Sequence, residues 1–306
     1  MSSAIAGSFF HRHGGRVFTA LLFVLFIACI PRHSDTPVKK GRVSLTHPAY
    51  AGQAIRVNGE WEFYPFVFLD PKDVLNRPAP GSYPTVPSSW NTYLSDAGDG
   101  IGYGSYRLVA AVSPGRAYGI YGGEMGVATS IYIDGHLIAR SGRPSESATQ
   151  EVPETLPMEG TFIPQGDTSE VIIHISNFDY RKGGFWNALY LGDAESIRRF
   201  VRMQRFRDMF LAGAFLISAF YHLILFLVIR RDRVLPLFSL LSLIITFRLL
   251  GTNQRLLVDL FPVLHFPAYF RIEIGSWLLA MPVGLHFVYC LFPRHIPRRI
   301  HQFAYL

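Results

Sequence analysis

Apolar positions follow two regimes along the 306 residues of this chain. Up to about residue 207 they are scattered among turn formers, and beyond it they come in long runs, so the two parts are built for different solvents. In the first part, "SYRLVAAV" (105–112), "AYGIYGG" (117–123), "ATSIYI" (128–133), "HLIAR" (136–140), "EVIIHIS" (170–176) and "NALYLG" (187–192) are short and rich in β-branched and aromatic residues. Gly, Pro, Asn and Asp punctuate them, which is the pattern of strands. Within "IYIDGHLIA", Asp134-Gly135 supplies the two positive φ angles of a type I′ turn and sets a hairpin register. No helical period intervenes before about Asp193 and no internal repeat appears, so one all-β sandwich or jelly roll of antiparallel strands is expected over 46–193.

The period then changes. Residues 194–208 ("AESIRRFVRMQRFRD") read as a basic connecting helix, followed by apolar spans at 209–229, 234–250 and 274–292. "RRDR" (230–233) and "PRHIPRR" (293–299) fall on one side of a three-span topology and are expected to be cytoplasmic. The arginines at 198, 199, 202, 205 and 207 then lie on the outer side, against the charge rule, where headgroup contact is a role for them. Near the start, "VFTALLFVLFIAC" (17–29) behind "HRHGGR" has the length and basic flank of a secretory signal or N-terminal anchor over 1–30, with 31–45 as linker. Cys29 after "FIA" resembles a lipoprotein cleavage box and is the candidate for lipid attachment, beside the plainer reading of an ordinary signal or anchor. Residues 293–306 read as a cytoplasmic tail or the start of a further segment.

Composition narrows the function. The net charge of +7 clusters beside apolar spans, where it serves topology and headgroups, not nucleic acid. The only cysteines are Cys29 and Cys290, which excludes a disulfide scaffold and a paired-thiol zinc site in the β region. No nucleophile elbow, Walker loop or His-Glu-x-x-His occurs, and loose acids such as Glu60, Glu62, Glu124 and Asp134 read as a solvated face, so the chain is not expected to be an enzyme. Asp96 and Asp99 in "SDAGDG" lack the alternation of a calcium loop and read as a turn; no cofactor or metal is expected.

"VPSSWN", "GYGSYRL", "SIYIDGHLIARSGRPS" and "EVIIHISN", in that order, resemble the non-catalytic sugar-binding domain of family-two glycoside hydrolases, a galactose-binding-like jelly roll. With "GEWEFYPFVFLDP" before and the helical run after, residues 50 to 292 are similar to bacterial seven-transmembrane receptors with diverse intracellular signalling modules. That resemblance implies an inner-membrane, multi-pass receptor with an extracytoplasmic sensor. It further implies more helices and an intracellular kinase or cyclase beyond Leu306, so the chain is expected to be truncated or to signal through a partner. The alternative is a glycan-holding envelope module merely anchored by its helices.

A small-molecule or glycan ligand calls for an aromatic platform with polar side chains that reach hydroxyls. Trp90, Arg107, Asn177, Asp179, Arg181 and Trp186 have the right chemistry near strand ends and loops. Trp61, Tyr106 and Trp90 are equally suited to a core, whereas Trp186 follows the Gly-Gly of "FDYRKGG" and is the best candidate for an exposed contact. Within the spans, Tyr221-His222, Arg248, Glu273 and His286 are the polar departures, with Arg271 a close charge of opposite sign to Glu273.

Overall fold

The computed structural model describes residues 33–73, 76–94, 100–229 and 232–292. The signal region with Cys29, Asp96 and Asp99, and the tail at 293–306 lie outside the described residues.

Alternating strands with one apolar face each build two facing sheets. The first runs β1 (His33–Asp35), β3 (Ala54–Arg56), β13 (Leu189–Asp193), β8 (Tyr118–Gly122), β11 (Met158–Phe162). The second runs β10 (His136–Ser141), β9 (Ala128–Ile133), β12 (Thr168–Asn177), β7 (Gly102–Ala111), β2 (Arg42–Ser44), and β5 (Glu62–Pro65) also pairs with β7. A small ladder of β4 (Gly59–Glu60) and β6 (Thr85–Val86) stands apart. Asp134 and Gly135 have φ of 49° and 81°, and they join β9 to β10 as the sequence requires.

The sheets are mixed, not purely antiparallel: β1 pairs with β3, and β2 with β7, in parallel. Residues expected as linker thus supply both β1 and β2, because the entering chain finds an open edge in each sheet. Between the sheets, Ile55, Ile120 and Leu191 from one side meet Leu108, Ile131 and Ile173 from the other in a single buried cluster. Trp61, Phe63, Trp90, Tyr106 and Phe185 close one end of it, with Phe63 and Tyr106 ring centres 4.6 Å apart.

The connecting helix and the first span form one continuous helix, α1 (Ala194–Ile229), roughly 54 Å long. Its opening turns do not float at the surface. Ile197, Phe200 and Val201 pack on Ala54, Tyr121 and Tyr190, covering the outer face of the first sheet. The helix then carries exposed apolar residues such as Ile217 and Val228, returns through α2 (Val234–Gly251), turns through the short α3 (Leu256–Leu260) and leaves again along α4 (Phe266–Leu291). Helices α1, α2 and α4 are each long and apolar enough to cross a membrane. The segment between the spans expected at 234–250 and 274–292 is therefore partly helical, and α4 begins eight residues ahead of position 274. The turn from α2 to α4 returns to the β domain, which places the site.

Candidate functional site

The β domain and the helices meet around Arg255, the N-cap residue just before α3, with φ of 52°. It is 3% exposed, and its five N–H groups all find acceptors. Nη2 donates to Glu124 Oε2 at 2.5 Å and to Thr155 Oγ1 at 3.2 Å, both in loops of the β domain. Nε donates to the Thr155 carbonyl at 3.1 Å. Nη1 donates to Glu273 Oε2 on α4 at 2.5 Å and to the Gly251 carbonyl at 2.7 Å. Burial works against the guanidinium charge, but Glu124 and Glu273 outweigh it and raise its pKa above the ordinary arginine value.

Two further contacts tie the same bodies. The Thr155 backbone N–H donates to Tyr269 Oη on α4 at 3.0 Å, and Arg255 lies 5.2 Å from the centre of that ring. Gln254 Nε2 donates to Tyr121 Oη on β8 at 2.6 Å. Burial pushes the Tyr121 hydroxyl up to about 12, so it stays protonated at neutral pH.

Beside Arg255 a cavity of about 260 Å³ opens, walled by both bodies. Tyr180 and Trp186 face Phe266 and Phe270 across it, and Glu124, Asp179 and Glu273 add carboxylates. Tyr180 packs 5.7 Å from the Trp186 ring and 6.0 Å from Phe270. The Trp186 indole carries the Lys182 ammonium 4.7 Å from its ring centre, and its N–H has no hydrogen-bond partner among the described residues. Aromatic faces with carboxylate acceptors suit a ring-shaped ligand that offers an apolar face and hydroxyl donors.

Of the six expected contact residues, Asp179 and Trp186 come together here. Arg181 is exposed, and its backbone carbonyl accepts from Asn91 Nδ2 at 3.1 Å. Trp90 is corrected to the core: it is 0% exposed, and its indole N–H donates to the Gly100 carbonyl at 2.8 Å. The Gly183-Gly184 turn is not a loose hinge, since a Cβ at Gly183 would overlap the Trp90 indole. Asn177 is likewise 0% exposed; Nδ2 donates to the carbonyls of Gly100 and Tyr180 while Oδ1 accepts from the Tyr180 N–H. It holds the Trp186 loop rather than a ligand. Arg107 points from β7 to the outer face of the second sheet, where it bridges Glu62 at 2.7 Å and Glu170 at 2.5 Å.

Glu62 and Glu124 are ion-paired, not freely solvated, and Glu273 pairs with Arg255, not Arg271. His222 faces the bundle, 4.5 Å from the Phe238 ring, and His286 lies 3.7 Å from Cys290 Sγ one turn along α4. Sequence reasoning missed Arg255, Thr155 and Tyr269. The sole local sign was the polar "TNQR" that follows the second apolar run.

No family model matches this chain, and no curated protein matches it. Among solved structures, a family-two β-galacturonidase from Eisenbergiella tayi bound to galacturonate is similar at 13% identity and TM-score 0.30, covering 45% of this chain and 24% of that one. The β-glucuronidase of Ruminococcus gnavus is similar at 17% identity and TM-score 0.34, covering 46% of this chain and 29% of its own. This chain therefore spans under a third of those enzymes, and a likeness at that level carries no inference about ligand or activity.

Proposed function

We propose that this chain is a membrane receptor whose β domain senses a small ring-shaped ligand, of carbohydrate type, and passes its occupancy to the helices. One observation carries this reading: the cavity at the junction is walled by both bodies, directly beside the Arg255 bridge between Glu124 and Glu273. A ligand that touches both walls binds one relative packing better than another, which is the condition for shifting their equilibrium. The basic segments at 230–233 and 293–299 support an inner-membrane arrangement with the β domain outside. An intracellular kinase or cyclase would read the change.

The test uses the full chain in lipid nanodiscs, screened by thermal shift against mono- and oligosaccharides and followed by hydrogen exchange. The expected result is a dose-dependent rise in melting temperature that is lost in Trp186→Ala, with slowed exchange over 251–273. Binding without any change in the helices would reassign the protein as an anchored glycan-holding module. Absence of binding by every saccharide would remove carbohydrate as the ligand class.

A further inference from the structure

The arginines of α1 that oppose the charge rule are arranged along a groove. Arg198, Arg202 and Arg205, with Phe206 and Met209 below them and Glu159 of β11 alongside, line a depression of about 430 Å³. Their spacing puts positions 198, 202, 205 and 209 on one face, while Ile197, Phe200 and Val201 hold the helix against the sheet. Three guanidinium groups thus stand against two carboxylates, Glu159 and Glu195. Arg198 and Arg202 reach Glu195 only at 3.3 and 3.4 Å, with all three side chains more than half exposed, and Arg205 has no ion-pair partner among the described residues. Such pairs contribute little and leave the fork geometry open.

Below the arginines the surface turns apolar at once. Phe206 and Met209 are 56% and 59% exposed, where the first span begins. Arg205 stands about 6 Å and Arg202 about 10 Å above Met209 along the axis. An interfacial layer is about 5–8 Å deep, so Arg205 sits at headgroup depth, Arg202 just above it within side-chain reach, and Arg198, about 16 Å above Met209, on its outer side.

We infer that this groove is a binding site for an anionic phospholipid, its phosphate held by Arg205 and Arg202, with Arg198 adding attraction from above, and its acyl chains laid over Phe206 and Met209. Planar guanidinium forks match phosphate oxygens bidentately, and the apolar floor distinguishes a lipid from free phosphate. The inference is independent of the ligand reading above. It also accounts for a cluster of positive charge on the β-domain side of the bilayer.

The experiment reconstitutes the full chain in phosphatidylcholine with phosphatidylglycerol as a minority component, and counts retained lipids by native mass spectrometry. Wild type is expected to retain phosphatidylglycerol over phosphatidylcholine by about tenfold or more. R198Q/R202Q/R205Q should abolish that preference, whereas K39Q/R42Q/R140Q, which removes as much charge elsewhere, should keep it. F206A/M209A retains the arginines and should lower the retention of phosphatidylglycerol. An unchanged preference in the arginine variant, equal loss in the control, or full retention in F206A/M209A would overturn the inference.

Discussion

Two arginines in this protein each hold two glutamates, and they do different work. Arg107 bridges Glu62 and Glu170 on neighbouring strands of one sheet, and its side chain is 18% exposed. Arg255 bridges Glu124 and Glu273 from the β domain and α4, and is 3% exposed. The chemistry is the same, but Arg107 reinforces a ladder that backbone hydrogen bonds already fix, while Arg255 is part of what joins two bodies. Burial raises the consequence of removing one partner, because the charges left behind have less water to turn to.

The largest effect is expected at the junction. Arg255→Met should strand Glu124 and Glu273, and Glu124 at 31% exposure tempers the loss to about 3–4 kcal/mol of junction stability. Differential scanning calorimetry of the full chain should then show the β domain melting apart from the helices. Adding Glu124→Gln and Glu273→Gln to that variant should restore part of the coupling.

Acid should act on the sheet face before the junction. His174 on β12 is 8% exposed, stacked 4.8 Å from the Phe68 ring centre, and donates from Nε2 to the Leu69 carbonyl at 2.9 Å. Burial lowers its pKa from the ordinary 6.5 to about 4, against that hydrogen bond. Between these values the unfolded chain binds more protons, so stability is whole above about pH 6.5 and falls as pH drops toward 4, by about 3 kcal/mol. The midpoint of chemical denaturation measured across that window should track this slope, and His174→Gln should flatten it.

Arg107→Met should cost about 1–2 kcal/mol, since its carboxylates keep other partners in Arg77 and Tyr64. The loss should appear in the β-domain transition alone, with no change in hydrogen exchange at 251–273. Smallest of all, Trp186→Ala should change unliganded stability by less than about 1 kcal/mol, because that ring is only partly buried. A much larger loss in a thermal melt would make Trp186 a packing residue and undercut the ligand reading.

Much of the architecture was legible in local pattern. The Asp134-Gly135 hairpin, the strands β7, β8, β9, β10, β12 and β13 and the three apolar helices announce themselves through periods of two or through unbroken apolar runs, whereas the short β1, β2, β3, β5 and β11 do not. The site was legible in part. Asp179 and Trp186 share a loop, so their proximity followed from spacing. Trp90 could not be told from an exposed platform, because an indole that donates to Gly100 inside a core and one that stacks on a ligand have the same sequence neighbourhood.

By itself the sequence determined the change from scattered to continuous apolar residues near residue 207, the alternation of the central strands before it, and the three apolar helical runs after it. These depend on contacts a few residues apart and on how many apolar side chains stand in a row. Only the tertiary structure decided that residues 33–44 complete two sheet edges, that α1 runs unbroken from sheet into span, and that Arg255 meets Glu124, 131 positions away. Pairings of that range depend on how whole elements pack, and a charge in a short polar turn carries no local mark of the partner that will bury it.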